Sequence, residues 1–441
     1  MKFSKIMART DWGIDPVPEK HRILNFFDFF VLWGGLGVGL LVILAGSFLV
    51  PGLSFVQAFA AIILGSSIGC VLLALVGYIG AKTHLPTMVL LRSILGSKGS
   101  ILPSFINIVQ LIGWTIFEFV IMGYSADKIV KLITGHSNHY LSTAIFAFIV
   151  LVMALWGPMG MIRQWLKKFA IWIIILITSW LTIQILGKPD VLSLLTKPGD
   201  GSMPFWAGVD LVIAMPISWL PLVADYNRFA KSVKESSYGT FAGYFIANVW
   251  LYSIGALLLL TTQITQDAGG FVPALLSSAG WLALLILVME ETKVAWADIY
   301  SAAVSTQNIF PKINQKALFV IFSIFSYVIA VVINIVQYES FLFLIGSVFI
   351  SLFGILLADY FVIRRGAFKT KKGINWIVIV IWILGISIYQ LSSRQYPGLS
   401  ASLVSFASVF ILYILIFNFS HKGTRFFKPS QFTIFNKFSK D

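Results

Sequence analysis

The sequence is short of charge. Only 11% of its 441 residues are Asp, Glu, Lys or Arg, where soluble domains carry about 25%. So few charges cannot build a water-facing surface for a chain of this length, which excludes soluble enzymes, disulfide scaffolds and disordered regulators. Cysteine is scarcer still. Cys70 stands alone inside an apolar run, so neither an internal disulfide nor a cysteine metal site can form. Also missing are a Walker phosphate loop, a paired-aspartate prenyl-diphosphate motif and a Ser/His/Asp cluster within an apolar run. His136 and His139 have a metal-like spacing but no third ligand beside them, and they read as loop residues.

What abounds is hydrocarbon. Hydrophobic residues make up 58% of the chain, with 14 Trp and 38 Phe among them, and the mean hydropathy is +0.89. At roughly 20 apolar residues per membrane crossing, the chain reads as an all-α polytopic membrane protein. The apolar runs predict twelve spans: 26–50, 55–80, 103–125, 140–156, 165–186, 205–224, 241–262, 281–303, 317–336, 340–362, 375–391 and 401–419.

The net charge of +14 takes its meaning from where the charges fall. With the N-terminus placed inside, 26 Lys and Arg residues lie in inside segments. The outside loops hold only Lys128, Lys131, Lys188, Lys197 and Arg394, and Lys293 falls within a span. That asymmetry is a positive-inside signal. It predicts a multi-pass protein of the cytoplasmic membrane with both termini cytoplasmic, and it is a topology signal rather than a nucleic-acid footprint. The polar stretch from Met1 to Arg22 lacks a cleavage site of small residues and reads as a retained cytoplasmic tail.

Two spans look broken. The first carries Gly34, Gly35, Gly37 and Gly39 within six residues, where glycine weakens a helix and permits close backbone approach. The sixth carries Pro216 and Pro221 around Ser218 and Trp219, and each proline removes a helical hydrogen bond. Irregular backbone at membrane depth survives only where protein or a wet cavity satisfies it. The breaks are five spans apart, and five is odd, so the second half enters from the opposite side. This predicts an inverted repeat, with paired broken helices marking a midplane transport site. The expected units are a tail at 1–25, repeats at 26–186 and 205–362, helices eleven and twelve at 375–419, and a basic tail at 420–441. Valine at Gly37 is expected to fill approach space, whereas valine at Gly80, near a span end, should be milder.

Several polar residues sit where a bilayer penalises them. In the third span Asn107, Gln110, Trp114 and Glu118 follow steps of three and four, so they share one helix face. An uncompensated carboxylate near the bilayer centre costs on the order of 3 kcal/mol, which directs Glu118 toward a cavity or a partner. Trp114, one turn away, offers a flat face for stacking. The eighth span carries Glu290, Glu291 and Lys293, with Asp298 further along. Four isolated charges there would cost roughly 10 kcal/mol, so they pair or are hydrated. Glu290 and Lys293 are three apart and can meet, while Glu291 and Asp298 lie on an adjacent face.

Certain runs are familiar in combination. They are His84 to Ser104 with its Pro86, Arg92, Gly96, Gly99 and Pro103; Gly113-Trp114; Ala224-Asp225-Tyr226-Asn227-Arg228-Phe229; and Gly354 to Gly366 with Asp359, Tyr360, Arg364 and Arg365. Over nearly the whole chain the sequence resembles the purine-cytosine permeases, the nucleobase:cation symporter-1 family. Within it, the runs 114–118 and 290–293 are most similar to the hydroxymethylpyrimidine permease branch, the CytX-like proteins. The resemblance implies a LeuT-type fold: a 5+5 inverted repeat plus two C-terminal helices, with helices 1 and 6 broken. It implies that Trp114 stacks on a pyrimidine ring, that Glu118 reads the substrate, and that Pro216 to Trp219 form a facing wall.

The expected function is secondary active import of a small aminopyrimidine by a monomer, with no enzyme activity and no cofactor. Gly35, Gly37, Pro216, Ser218, Trp219 and Glu291 join Trp114 and Glu118 as expected substrate contacts. The coupling ion is sodium or a proton, assigned to a site of Lys293, Glu290, Thr292 and Gly39. Sodium-coupled relatives carry small hydroxyl residues in span eight, where Thr292 of this chain is flanked by Glu291 and Lys293. The alternatives are a purine, uracil or hydantoin-type cargo, or a membrane-embedded enzyme using Glu118, Glu290 and Glu291.

Overall fold

Two helices near the start of the chain begin where side chains satisfy their free amides. Asn25 and Asp28 form a reciprocal capping box at the start of α1 (Phe26–Leu36), and Ser54 and Gln57 form another at α3 (Phe55–Thr83). Between these two lies α2 (Leu40–Ser47), bent 59° from α1 across the glycine-rich break. The computed structural model describes residues 12–156, 171–188, 191–262, 268–333 and 338–421. Its remaining long helices are α4 (Ile101–Thr134), α5 (His139–Trp156), α6 (Ile171–Leu186) and α7 (Phe205–Ser218). After a short α8 (Val223–Asn227) come α9 (Val233–Thr262), α10 (Ala268–Ile309), α11 (Gln315–Ala330), α12 (Tyr338–Leu357), α13 (Trp376–Gln395) and α14 (Ala401–His421).

Eight of these helices are long and apolar enough to cross a membrane, and the bent α1–α2 pair makes a ninth span. Three shorter apolar helices, α6, α7 and α11, stand at the remaining predicted positions. The fold is the expected twelve-span helical bundle. Its fifth and ninth predicted spans extend into 165–170 and 334–336, outside the described residues. The eighth span begins where the sequence suggests, because Gly280 (φ +82°) breaks α10. That backbone conformation favours glycine.

Both expected breaks are present. α1 ends at Leu36 and α2 starts after Gly39, whose backbone is extended. α7 ends at Ser218, two residues beyond Pro216, and the chain turns through Trp219 to Leu222 before α8. Packing follows the symmetry of an inverted repeat: α1 lies on α9 as α7 lies on α3, while α3 pairs with α9 and α4 with α10. Two bodies result. One joins α1, α2, α3, α7 and α9; the other joins α4, α5, α10 and α11.

Small residues bring the first body together. A Cβ on Gly37 would lie 2.8 Å from the Ala247 Cβ of α9. A Cβ on Gly80 would lie 2.7 Å from the Ala224 Cα and overlap its side chain. The expectation that Gly80 is the tolerant position is therefore corrected: closeness to a span end did not loosen it, because α8 lies directly across from it.

At the end of the bundle that carries residue 12, a strap runs from Trp12 to Leu24. Leu24 forms a parallel bridge with Ala230, through Leu24 N to Phe229 O at 3.1 Å and Lys231 N to Leu24 O at 2.9 Å. Arg228 donates to the Gly13 carbonyl (2.7 Å) and to the Tyr300 hydroxyl (3.0 Å). Strap, α8 and α10 are thereby stitched at one point.

Candidate functional site

The seam between the two bodies holds a cavity at the level of both helix breaks. The first body lines it with Leu36, Gly39, Leu41 and Val42 from α1–α2, and with Met215, Ser218 and Trp219 from the end of α7. The second supplies Trp114 and Glu118 from α4, and Glu291, Val294 and Asp298 from α10. All of these are buried except Val294, which is half-buried.

Sequence order explains why these side chains converge. Trp114 and Glu118 are one turn apart on α4, and Glu291, Val294 and Asp298 follow steps of three and four on α10. The two helices pack along their length, so the two faces meet. The indole of Trp114 is held edge-on by Tyr338 (5.7 Å) and Phe341 (5.3 Å) of α12. Opposite, Trp219 is held edge-on by Trp33 (5.9 Å, 87°).

Each carboxyl has a different setting. Glu291 reaches across the seam and accepts a hydrogen bond from Leu40 N at 2.8 Å, with Leu41 N also directed at it. It caps α2, where the free amides and the helix dipole favour negative charge. Gly39 is needed here for space, since a Cβ would lie 2.7 Å from Glu291 Oε2. Glu118 is fully buried, and among the described residues no N–H or O–H donates a hydrogen bond to either of its oxygens. Asp298 lies within reach of it. No Lys, Arg or His is among the lining residues.

The structure brings together Trp114, Glu118, Ser218, Trp219, Glu291 and Gly39. It does not bring Gly35, Gly37 or Pro216 to the cavity wall. Gly37 faces Ala247 and Tyr244, and Pro216 packs on Gly69 of α3. Ser218 contributes through its backbone as well: its carbonyl accepts from Gln110 Nε2 at 3.1 Å, and its hydroxyl is turned back to Met215 O. Lys293 is fully buried and paired with Glu290, away from the lining. Thr292 donates to Met289 O within its own helix (2.6 Å). The group that α10 sends to the break is Glu291.

Asp298 was visible in the sequence as a costly charge, but its place opposite Glu118 was not. The apolar lining of Leu36, Met215 and Val294 carried no signal that separates it from core.

Residues 16–410 match the family described as permease for cytosine/purines, uracil, thiamine, allantoin. The cytosine permease of Escherichia coli is 26% identical over 354 residues, covering 78% of this chain and 80% of that protein. The purine-uracil permease NCS1 of Arabidopsis thaliana is 26% identical over 434 residues, covering 86% and 70%. Among solved structures, Mhp1, a nucleobase-cation-symport-1 family transporter in a closed conformation with bromovinylhydantoin bound, superposes with a TM-score of 0.82 at 18% identity. That superposition covers 95% of this chain and 97% of Mhp1. The fold is shared with that transporter, and the chain belongs to the cytosine/purine, uracil, thiamine and allantoin permease family.

Proposed function

We propose that this permease is a secondary active transporter importing a small aminopyrimidine, hydroxymethylpyrimidine or cytosine, across the cytoplasmic membrane by alternating access. One observation carries the choice of cargo: Glu118, a buried carboxyl with no N–H or O–H donor among the described residues, lines one cavity with Trp114 and Trp219. Trp114 stacks on the ring, and Glu118 accepts from its exocyclic amine. A carboxylate accepts from an exocyclic amine more readily than from an imide N–H flanked by two carbonyl oxygens, which favours an aminopyrimidine over the imide edge of uracil or hydantoin. Ser218, Trp219 and Glu291 complete the contacts, and Leu36, Met215 and Val294 supply apolar area.

Coupling is proposed to be independent of sodium. The positions that α10 turns toward α2 are already filled, by Glu291 on the α2 amides, and the nearby Lys293 ammonium is a fixed charge neutralised by Glu290. Thr292 and Gly39 are left no role as ion ligands in this reading.

The test is counterflow of labelled compound in proteoliposomes, across a panel of cytosine, hydroxymethylpyrimidine, uracil, a purine and hydantoin. Aminopyrimidines should exchange and be recovered unmodified, with sodium replaced by choline at no loss of initial rate. Preferred exchange of a dioxo ring would overturn the cargo assignment. A steep sodium requirement would overturn the coupling assignment.

A further inference from the structure

Glu118 and Asp298 both line the cavity, no Lys, Arg or His lines it with them, and the cargo reading does not account for Asp298. Among the described residues no N–H or O–H donates to either Glu118 oxygen, and Asp298 of the neighbouring helix lines the same cavity. Two carboxylates buried in one cavity repel each other and are tolerated only when something positive sits between them. The simplest such partner is a proton, which turns the pair into one donor and one acceptor.

The surrounding groups leave that role to the pair. On the same helix Glu291 is engaged by α2 amides, and Lys293 is closed on Glu290 away from the cavity. From α12, Tyr338 donates its hydroxyl to Leu41 O at 3.0 Å. From α8, Tyr226 donates to Ala297 O at 2.9 Å. Tyr244 of α9 borders Trp219. None of these is a cation, and α1, α2 and α7 send no titratable side chain to the cavity wall.

We propose that Glu118 and Asp298 together hold one exchangeable proton, taken up from one side of the membrane and released on the other with each cargo molecule. The proposal rests on the transporter reading above and names its driving ion. The balance is simple. One O–H bond forms when the pair faces the outer solution and breaks when it faces the inner one, so each cycle moves one proton and one cargo molecule. The ammonium of Lys293, held by Glu290, has no part in the transfer.

Two measurements test this on the full chain. The first is infrared difference spectroscopy of the protein in lipid, reading the carbonyl stretch of a protonated carboxylic acid and its deuterium shift. Wild type should show a component that is lost in both Glu118→Gln and Asp298→Asn; its persistence in both variants would overturn the shared proton. The second is the number of protons entering sodium-free proteoliposomes per cytosine or hydroxymethylpyrimidine, followed with an entrapped pH dye. Wild type should give a ratio near one, and each variant a ratio near zero on whatever flux remains. Robust wild-type uptake with no proton movement would overturn the proposal while leaving the transporter reading intact. No counterflow of any heterocycle by inserted wild type would defeat that reading instead, and the infrared result would then decide the proton site alone.

Discussion

At the residue scale, the site depends on how buried charges are compensated. Glu118→Gln keeps the shape of the side chain and removes its charge. A hydrogen bond to a charged group is worth about 1.5–3 kcal/mol, so aminopyrimidine affinity should fall roughly tenfold or more. Affinity for a matched oxo ring should change less. Tryptophan quenching titrations would read both, since Trp114 and Trp219 line the cavity. The Glu290–Lys293 pair follows different arithmetic. Removing one partner of a buried pair typically costs about 3–5 kcal/mol, whereas replacing both by apolar residues is often neutral. Lys293→Ala should therefore lower the melting temperature in detergent, and adding Glu290→Leu to Lys293→Met should restore most of it. A double variant as unstable as the single one would show that the ammonium has a further partner.

At the scale of elements, the breaks are held by close approach and not by slack backbone. Gly37→Val would push into Ala247 and Gly80→Val into Ala224, whereas a Cβ on Gly398 meets nothing within 4 Å. Transport by inserted protein should be lost in the first two and kept in Gly398→Val, as uptake normalised to surface-labelled protein would show. Normal transport by Gly37→Val would remove the packing argument for the break. Much of this architecture was legible beforehand. Gly34 to Gly39, Pro216 and the polar face of α4 depart from a plain apolar run, and each departure marked a real feature. What was not legible depends on pairs distant in sequence. Nothing local to Gly80 announces Ala224, and nothing local to Asp298 announces Glu118, because a helix period reports which residues share a face but not what that face meets.

At the scale of the whole molecule, the strap ties residues 12–24 to both bodies, and its hold should depend on pH. His84 caps α3 in a left-handed conformation (φ +59°), its carbonyl accepting from Val17 N at 3.1 Å. Burial, with Arg22 of the strap adding to it, holds the imidazole below the ordinary histidine range. A lowered folded value means that the undocked state takes up the proton first. Docking is thus at full strength above about pH 6.5, the ordinary histidine value, and weakens as pH falls through it. Hydrogen exchange at the Val17 and Leu24 amides should accelerate toward pH 5 relative to the α3 interior after correction for intrinsic rates. His84→Gln should flatten that difference. An unchanged wild-type ratio would remove His84 from the account. Glu291 has a comparable reach at the centre of the molecule. A carboxylate anchored in one body holds the first turn of a helix belonging to the other, beside the 59° bend, so the two bodies are joined at the break by a contact made within the protein itself.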